Sequence, residues 1–239
     1  MSPARVMVVD DHPVVRDGVA LLLRGEPSLS VVGAAESGRA AEEIVPVEVP
    51  ARRGAPTVVD RDEEPFRADL EKMAKLKPAF AADGTVTAAN SSKINDGAAA
   101  LVLTTAAHAE SLGKRPIARL VAQATHAQEP EWFTTAPISA VQRALARAGL
   151  AVGDVDLFEV NEAFAAVALV VGRELGVPAE KLNVRGGAVA LGHPIGASGA
   201  RILVTLLHAL AERGGRYGCA GICLGGGEAT AVVVERLGA

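Results

Sequence analysis

Chemistry has few places to reside in this 239-residue chain, which holds two cysteines, five histidines and one tyrosine. Three candidate residues stand at the ends of strand-like runs or in tight loops, where side chains can be presented. The run Leu157-Phe158-Glu159-Val160 passes into Asn161-Glu162-Ala163-Phe164, a strand-to-helix turn. An Asn or Glu there ordinarily caps the following helix. Further on, a loop from Gly186 to Gly199 carries glycines at 186, 187, 192, 196 and 199. That density implies close backbone approach and torsions that other residues avoid. It sets His193 between Gly192 and Pro194, just before a helix. A helix N-terminus disfavours the imidazolium, so His193 is expected to be neutral, a base or a hydrogen-bond donor. The third segment is Cys223-Leu224-Gly225-Gly226-Gly227. A thiol there can act as acid or base, with exposed N–H groups beside it to hold an oxyanion. A free cysteine is more often a small core hydrophobe, the role expected of Cys219.

The elements needed to position these residues follow from periodicity. Strands are expected at Ala118–Ala124, Leu157–Val160, Gly218–Leu224 and Ala229–Arg236, the last two flanking the Gly225–Gly227 turn. Apolar residues at helical spacing predict helices over Ile138–Ala148, Ala165–Gly176 and Ala200–Arg213, and Gly149 ends the first. A shorter helix is expected over Ala106–Leu112, capped by Gly113. Met73, Leu76 and Phe80 suggest another near Pro78. Gly84-Thr85-Val86-Thr87 is expected to open a strand, and Asp96-Gly97 to turn into a buried strand through Leu103. At the start, Arg5–Val9, Val14–Arg24 and Leu29–Val32 predict strand, helix and strand. The alternation makes the class α/β, with a mixed sheet and packed helices.

Composition excludes several functions. Hydrophobic residues make up 49% and charged residues 22%, enough for a core and too apolar for wholesale disorder. The net charge of −4, without a basic stripe, argues against nucleic acid as a partner. No apolar run approaches the ~20 residues of a membrane helix. The stretch from Phe164 to Gly172 is too short and ends on Arg173. No signal peptide is visible, so a cytoplasmic protein is expected. Cys219 and Cys223, four apart on one strand, make neither a disulfide framework nor a metal site.

Two resemblances refine this. Val8-Val9-Asp10-Asp11-His12-Pro13 and Val31-Val32-Gly33-Ala34-Ala35-Glu36-Ser37-Gly38 resemble the start of a response-regulator receiver domain. In that family, acidic residues such as Asp10 and Asp11 help hold Mg²⁺ beside a phosphoacceptor aspartate. The pattern stops before such an aspartate. Asp60, after Thr57-Val58-Val59, is the one candidate, in what reads as an exposed acidic loop.

From about Glu42 onward the chain resembles the C-terminal half of the thiolases. The matching residues are Asn161-Glu162-Ala163-Phe164, the Gly192-His193-Pro194 loop and Cys223-Leu224-Gly225, in that order. They are joined by Glu43-Ile44-Val45-Pro46-Val47, Ala74–Phe80 and Thr85–Ser92. The resemblance implies Claisen condensation or thiolysis of acetoacetyl-CoA or another 3-ketoacyl-CoA, with coenzyme A thioesters as substrates and no further cofactor or metal. It implies that Cys223 is the acid/base cysteine. His193 would activate the nucleophile and stabilise a thioester oxyanion, Asn161 would hold a water there, and Gly225 would offer its N–H. Ser92 would contact the pantetheine arm, and Phe80, Ala163 and Phe164 would line its channel. A homo-oligomer is the family's habit, and the tract Thr125–Phe133 points to the acetyl-CoA acetyltransferase branch.

The family's nucleophilic cysteine has no counterpart here, and Arg67 is displaced from the family's phosphate-binding arginine by a short deletion. The expected division is a receiver-like fragment over 1–41, thiolase loop and N-terminal-domain remnant over 42–115, and thiolase C-terminal domain over 116–239. The resulting expectation is a thiolase-type acyltransferase, inactive as an isolated chain. An inert chimeric remnant and a receiver-type signalling module are the alternatives.

Overall fold

The computed structural model describes residues 4–9, 29–35, 43–51 and 54–238. The chain divides into two compact units, Met1–Phe66 and Arg67–Ala239.

In the first unit, β1 (Ala4–Val9) and β2 (Leu29–Ala35) pair in parallel. The expected helix over Val14–Arg24 and the acidic pair Asp10-Asp11 lie outside the described residues. β3 (Val47–Val49) and β4 (Thr57–Val59) form an exposed antiparallel hairpin, so the expected loop is partly paired. Asp60 follows β4, exposed, and α1 (Glu64–Arg67) comes next.

The second unit begins with α2 (Leu70–Met73) and α3 (Ala106–Ser111). A four-stranded sheet then assembles from β5 (Ala118–Ala127), β6 (Leu157–Val160), β7 (Tyr217–Cys223) and β8 (Glu228–Arg236), in the order β5-β8-β7-β6. β6 and β7 are parallel and the other pairs antiparallel. Between the strands lie α4 (Ala136–Ala148), α5 (Ala165–Leu175), α6 (Ala188–Leu191) and α7 (Ser198–Arg213). This is the expected α/β class.

Strand side chains alternate between faces, and each face finds its own helix. Phe158, Cys219 and Val233 pack with Ala140, Val141, Ala144 and Leu145 of α4. Leu157, Ala220 and Val234 pack with Ile202, Leu206 and Leu210 of α7 on the other side. α4 stops where Gly149 takes a left-handed conformation at φ 69°, a torsion costly for a residue with a Cβ.

Three expectations for the stretch before β5 are corrected. The helix near Pro78 is only α2, a single turn ending at Met73 with Asp69 as its cap, and Phe80 is outside it. No strand forms at Gly84–Thr87; Asn90 Oδ1 instead accepts from the Thr87 N–H in a tight turn. The run through Leu103 is irregular, with Val102 97% exposed. An apolar run becomes a buried strand only beside a partner strand and under a covering layer, and among the described residues this run has neither.

Candidate active site

The site forms where the parallel strands end. β6 and β7 pair through Val160 and Gly221, and the Asn161 N–H then donates to the Gly221 carbonyl at 2.9 Å. Residues just past the carboxyl ends of parallel strands are the usual ligand-facing positions of α/β sheets. Asn161 occupies one such position, fully buried. Cys223, the last residue of β7, lies two residues beyond Gly221, roughly 7 Å along the strand.

His193 reaches Asn161 from the loop between α6 and α7. Gly192 turns the chain at φ 99°, and the His193 N–H donates to the Lys93 carbonyl at 2.7 Å. Its Nε2 lies 3.4 Å from Asn161 Nδ2, and its Nδ1 lies 2.6 Å from Ser198 Oγ. Ser198 is fully buried at the start of α7, and its hydroxyl donates to the Pro194 carbonyl at 3.1 Å. Burial lowers the His193 pKa, and the Arg201 charge lowers it further. Both effects disfavour the imidazolium, so the ring is neutral near pH 7. Arg201 lies 3.9 Å from the buried Glu159 carboxylate. A cleft of about 460 Å³ opens beside this loop, lined by residues 95–99 and 194–197.

Cys223 is 8% exposed and packs with Val160, Val167, Ala168 and Val171. Burial pushes its thiol above the ordinary range, as suits a proton donor, and a backbone hydrogen bond partly offsets this. Cys219 is wholly buried, and desolvation pushes it up to about 12. The turn after Cys223 is closed by Leu224 N–H to the Glu228 carbonyl at 2.7 Å, leaving Gly225 exposed.

The residues expected to meet the substrate arm are brought together. Ser92 Oγ donates to the Ala163 carbonyl at 2.8 Å, and the Ser92 N–H donates to the same oxygen at 3.1 Å. The Phe80 ring meets Phe164 edge-on at 5.9 Å, with Phe133 on Phe164 at 6.3 Å. Residues 90–95 thus run beside both the Asn161 and the His193 loops. Arg67 is exposed at the end of α1.

Sequence reasoning missed two residues that hold this arrangement, Ser198 and Asn183, and read a third, Glu162, only as a helix cap within a motif. Asn183 has φ 46°, a positive value that Asn tolerates better than most residues. Its Oδ1 accepts from the Val160 N–H at 2.7 Å. Its Nδ2 donates to the Val160 carbonyl and to Glu162 Oε1, both at 2.8 Å. Glu162 Oε2 in turn accepts from the Val189 N–H at 3.1 Å. Gly187 is required beside this carboxylate, because a Cβ there would overlap Glu162. The clamp ties the end of β6 to the start of the histidine loop.

Asn183→Ala is expected to cost about 3 kcal/mol, since it strands two buried backbone groups of Val160 and keeps a left-handed torsion. Asn183→Gly relieves the torsion alone and should recover only the smaller share. Urea titration of both variants checks this, and wild-type stability for Asn183→Ala would contradict it.

Residues 114–236 match the thiolase C-terminal domain and residues 30–107 the thiolase N-terminal domain. The latter match begins earlier than the expected start near Glu42. Acetyl-CoA acetyltransferase of Pseudomonas aeruginosa is 50% identical over 206 residues, 86% of this chain and 52% of that protein. Acetyl-CoA acetyltransferase 2 of Arabidopsis thaliana is 53% identical over 208 residues, again 86% and 52%. The crystal structure of Bacillus anthracis acetyl-CoA acetyltransferase superposes with a TM-score of 0.80 at 41% identity, covering 95% of this chain and 55% of that one. The chain spans about half the length of the curated relatives it matches. With the C-terminal match alone taking in more than half of its residues, and the site motifs in family order, the chain belongs to the thiolase family.

Proposed function

We propose that the chain carries the acid/base half of a thiolase-type acyl-CoA C-acyltransferase site, acting on acetyl-CoA and acetoacetyl-CoA. The observation that carries this reading is the contact of buried Asn161 with His193, beside the strand ends where Cys223 terminates β7. In the reaction, the Cys223 thiolate removes a proton from the carbon that forms the new C–C bond, and the thiol returns it on cleavage. His193 takes the proton of an attacking thiol through Nε2 and then donates it toward the thioester oxygen. Asn161 supports the same oxygen through water, and the Gly225 N–H supports the second carbonyl. Ser92, Ala163, Phe164 and Phe80 hold the pantetheine arm. Neither cysteine of this chain fits the nucleophile's role, so turnover needs a thiol from elsewhere. Residues 42–115 and 116–239 serve as the two thiolase portions, and residues 1–41 as a receiver-like piece without its phosphoacceptor. The chain works in the cytoplasm, in fatty acid metabolism and as an assembly of copies.

Titration calorimetry with acetyl-CoA tests the reading. Wild type is expected to bind, and Phe164→Ala to bind about tenfold more weakly, since the ring supplies edge contacts and apolar area. No heat of binding from wild type would overturn it.

A further inference from the structure

Ser198 holds an unusual position: fully buried, in the first turn of α7, five residues after His193 and against the ring nitrogen that faces away from Asn161. Its contacts have a direction. The Asn161 amide is oriented with Nδ2 toward the ring and, since Nδ2 carries only donor hydrogens, in this orientation it gives one to His193 Nε2 across 3.4 Å. A neutral imidazole has one acceptor nitrogen and one N–H. With Nε2 the acceptor, the proton resides on Nδ1. Nδ1–H then donates to Ser198 Oγ at 2.6 Å, and the serine hydroxyl passes its own hydrogen to the Pro194 carbonyl at 3.1 Å. Every group in the series Asn161, His193, Ser198, Pro194 then has one role, with no donor facing a donor.

We infer that Ser198 is a positioning residue that holds His193 in the Nδ1–H tautomer, leaving the Nε2 lone pair as the proton acceptor on the Asn161 side. Free imidazole side chains prefer the opposite tautomer, with the proton on Nε2, so something must hold the less favoured form. The serine hydroxyl does so by accepting from Nδ1–H, while its own hydrogen is committed to Pro194. Because α7 is packed into the core through Ile202, Leu206 and Leu210, the acceptor is fixed in space. The catalytic meaning of this rests on the proposed acyl-transfer reading, in which Nε2 takes a thiol proton. The tautomer itself does not depend on any substrate.

The test is ¹⁵N NMR of the imidazole nitrogens in the uniformly labelled full chain near pH 8. The signals of His193 are assigned by their loss in His193→Asn. Each neutral tautomer gives a distinct pattern, because the protonated nitrogen resonates far upfield of the bare one. Wild type is expected to show Nδ1 protonated and Nε2 bare. Ser198→Ala, with unchanged amide dispersion as evidence of folding, is expected to shift the population to Nε2–H. Ser198→Thr, which keeps the hydroxyl, is expected to restore Nδ1–H. Nε2–H in wild type overturns the inference whether or not any variant folds. Nδ1–H that persists in folded Ser198→Ala overturns the role of Ser198. Failure to bind acetyl-CoA would remove the acyl-transfer reading and leave these spectra unaffected.

Discussion

Purified chain mixed with coenzyme A and acetoacetyl-CoA is expected to produce acetyl-CoA at a rate on the order of 10⁶-fold below that of an enzyme holding both thiols. The proposed thiolase-type mechanism needs one thiol to carry the acyl group and a second to move the proton, and the chain has two cysteines in all. Cys223 is the residue proposed for the second role. Cys219 cannot take the first, because four strand residues place it about 13 Å away. It is also sealed in the core with its thiol pushed up to about 12 by desolvation, which strongly disfavours the reactive thiolate. Oxyanion donors alone leave hydrolysis of order 10³-fold above water, by analogy with disabled triads. Mass spectrometry for an acetylated cysteine completes the measurement. Turnover with acetyl trapped on Cys219, abolished by Cys223→Ala, would contradict the account. Turnover only on mixing with a separate chain bearing the nucleophile would identify a two-chain enzyme.

Phe158→Ala is expected to destabilise the second unit by about 3–5 kcal/mol. The ring is 1% exposed, in the core cluster shared by β6, β8 and α4. Its removal leaves a cavity that Val141, Leu145 and Val233 can fill only in part, since β6 is also pinned through Val160 to Asn183. That loss is a large share of the 5–15 kcal/mol typical of a domain. Urea unfolding followed by the single Trp132, which lies in the second unit, measures it as a shift in midpoint. A loss below 1 kcal/mol would mean that β6 is not held between two helical layers.

Much of the second unit was legible because its signals are local. The helix ends at Gly149 and Gly176, the four residues of β6 and the glycine turn between β7 and β8 all follow from short spacings. β5 runs three residues past its expected end because the ladder with β8 continues to Ala127 and Glu228. The misreadings at Gly84–Thr87 and Ala98–Leu103 share a cause. An apolar run records a preference for burial, whereas a strand also requires a partner, which is a long-range property. Of the site, Asn161, His193 and Cys223 stood out as polar residues at strand ends and in a glycine loop. Ser198 did not, because a serine at a helix start reads as a cap; its position five residues after a loop histidine was the available signal. Asn183 acts on Val160 from 23 residues away, and only its tolerance of positive φ before a pair of glycines hinted at a role.

The central claim, that Cys223 faces the acyl-CoA site, is tested most directly by its alkylation rate. The chain is treated with iodoacetamide at pH 8, with and without acetyl-CoA at about ten times the measured dissociation constant, and both cysteines are followed by mass spectrometry. The account predicts slow labelling of Cys223 that acetyl-CoA suppresses about tenfold by mass action, with Cys219 unlabelled in both arms. Labelling of Cys223 at the same rate with acetyl-CoA saturating would place the ligand away from the end of β7 and contradict the account.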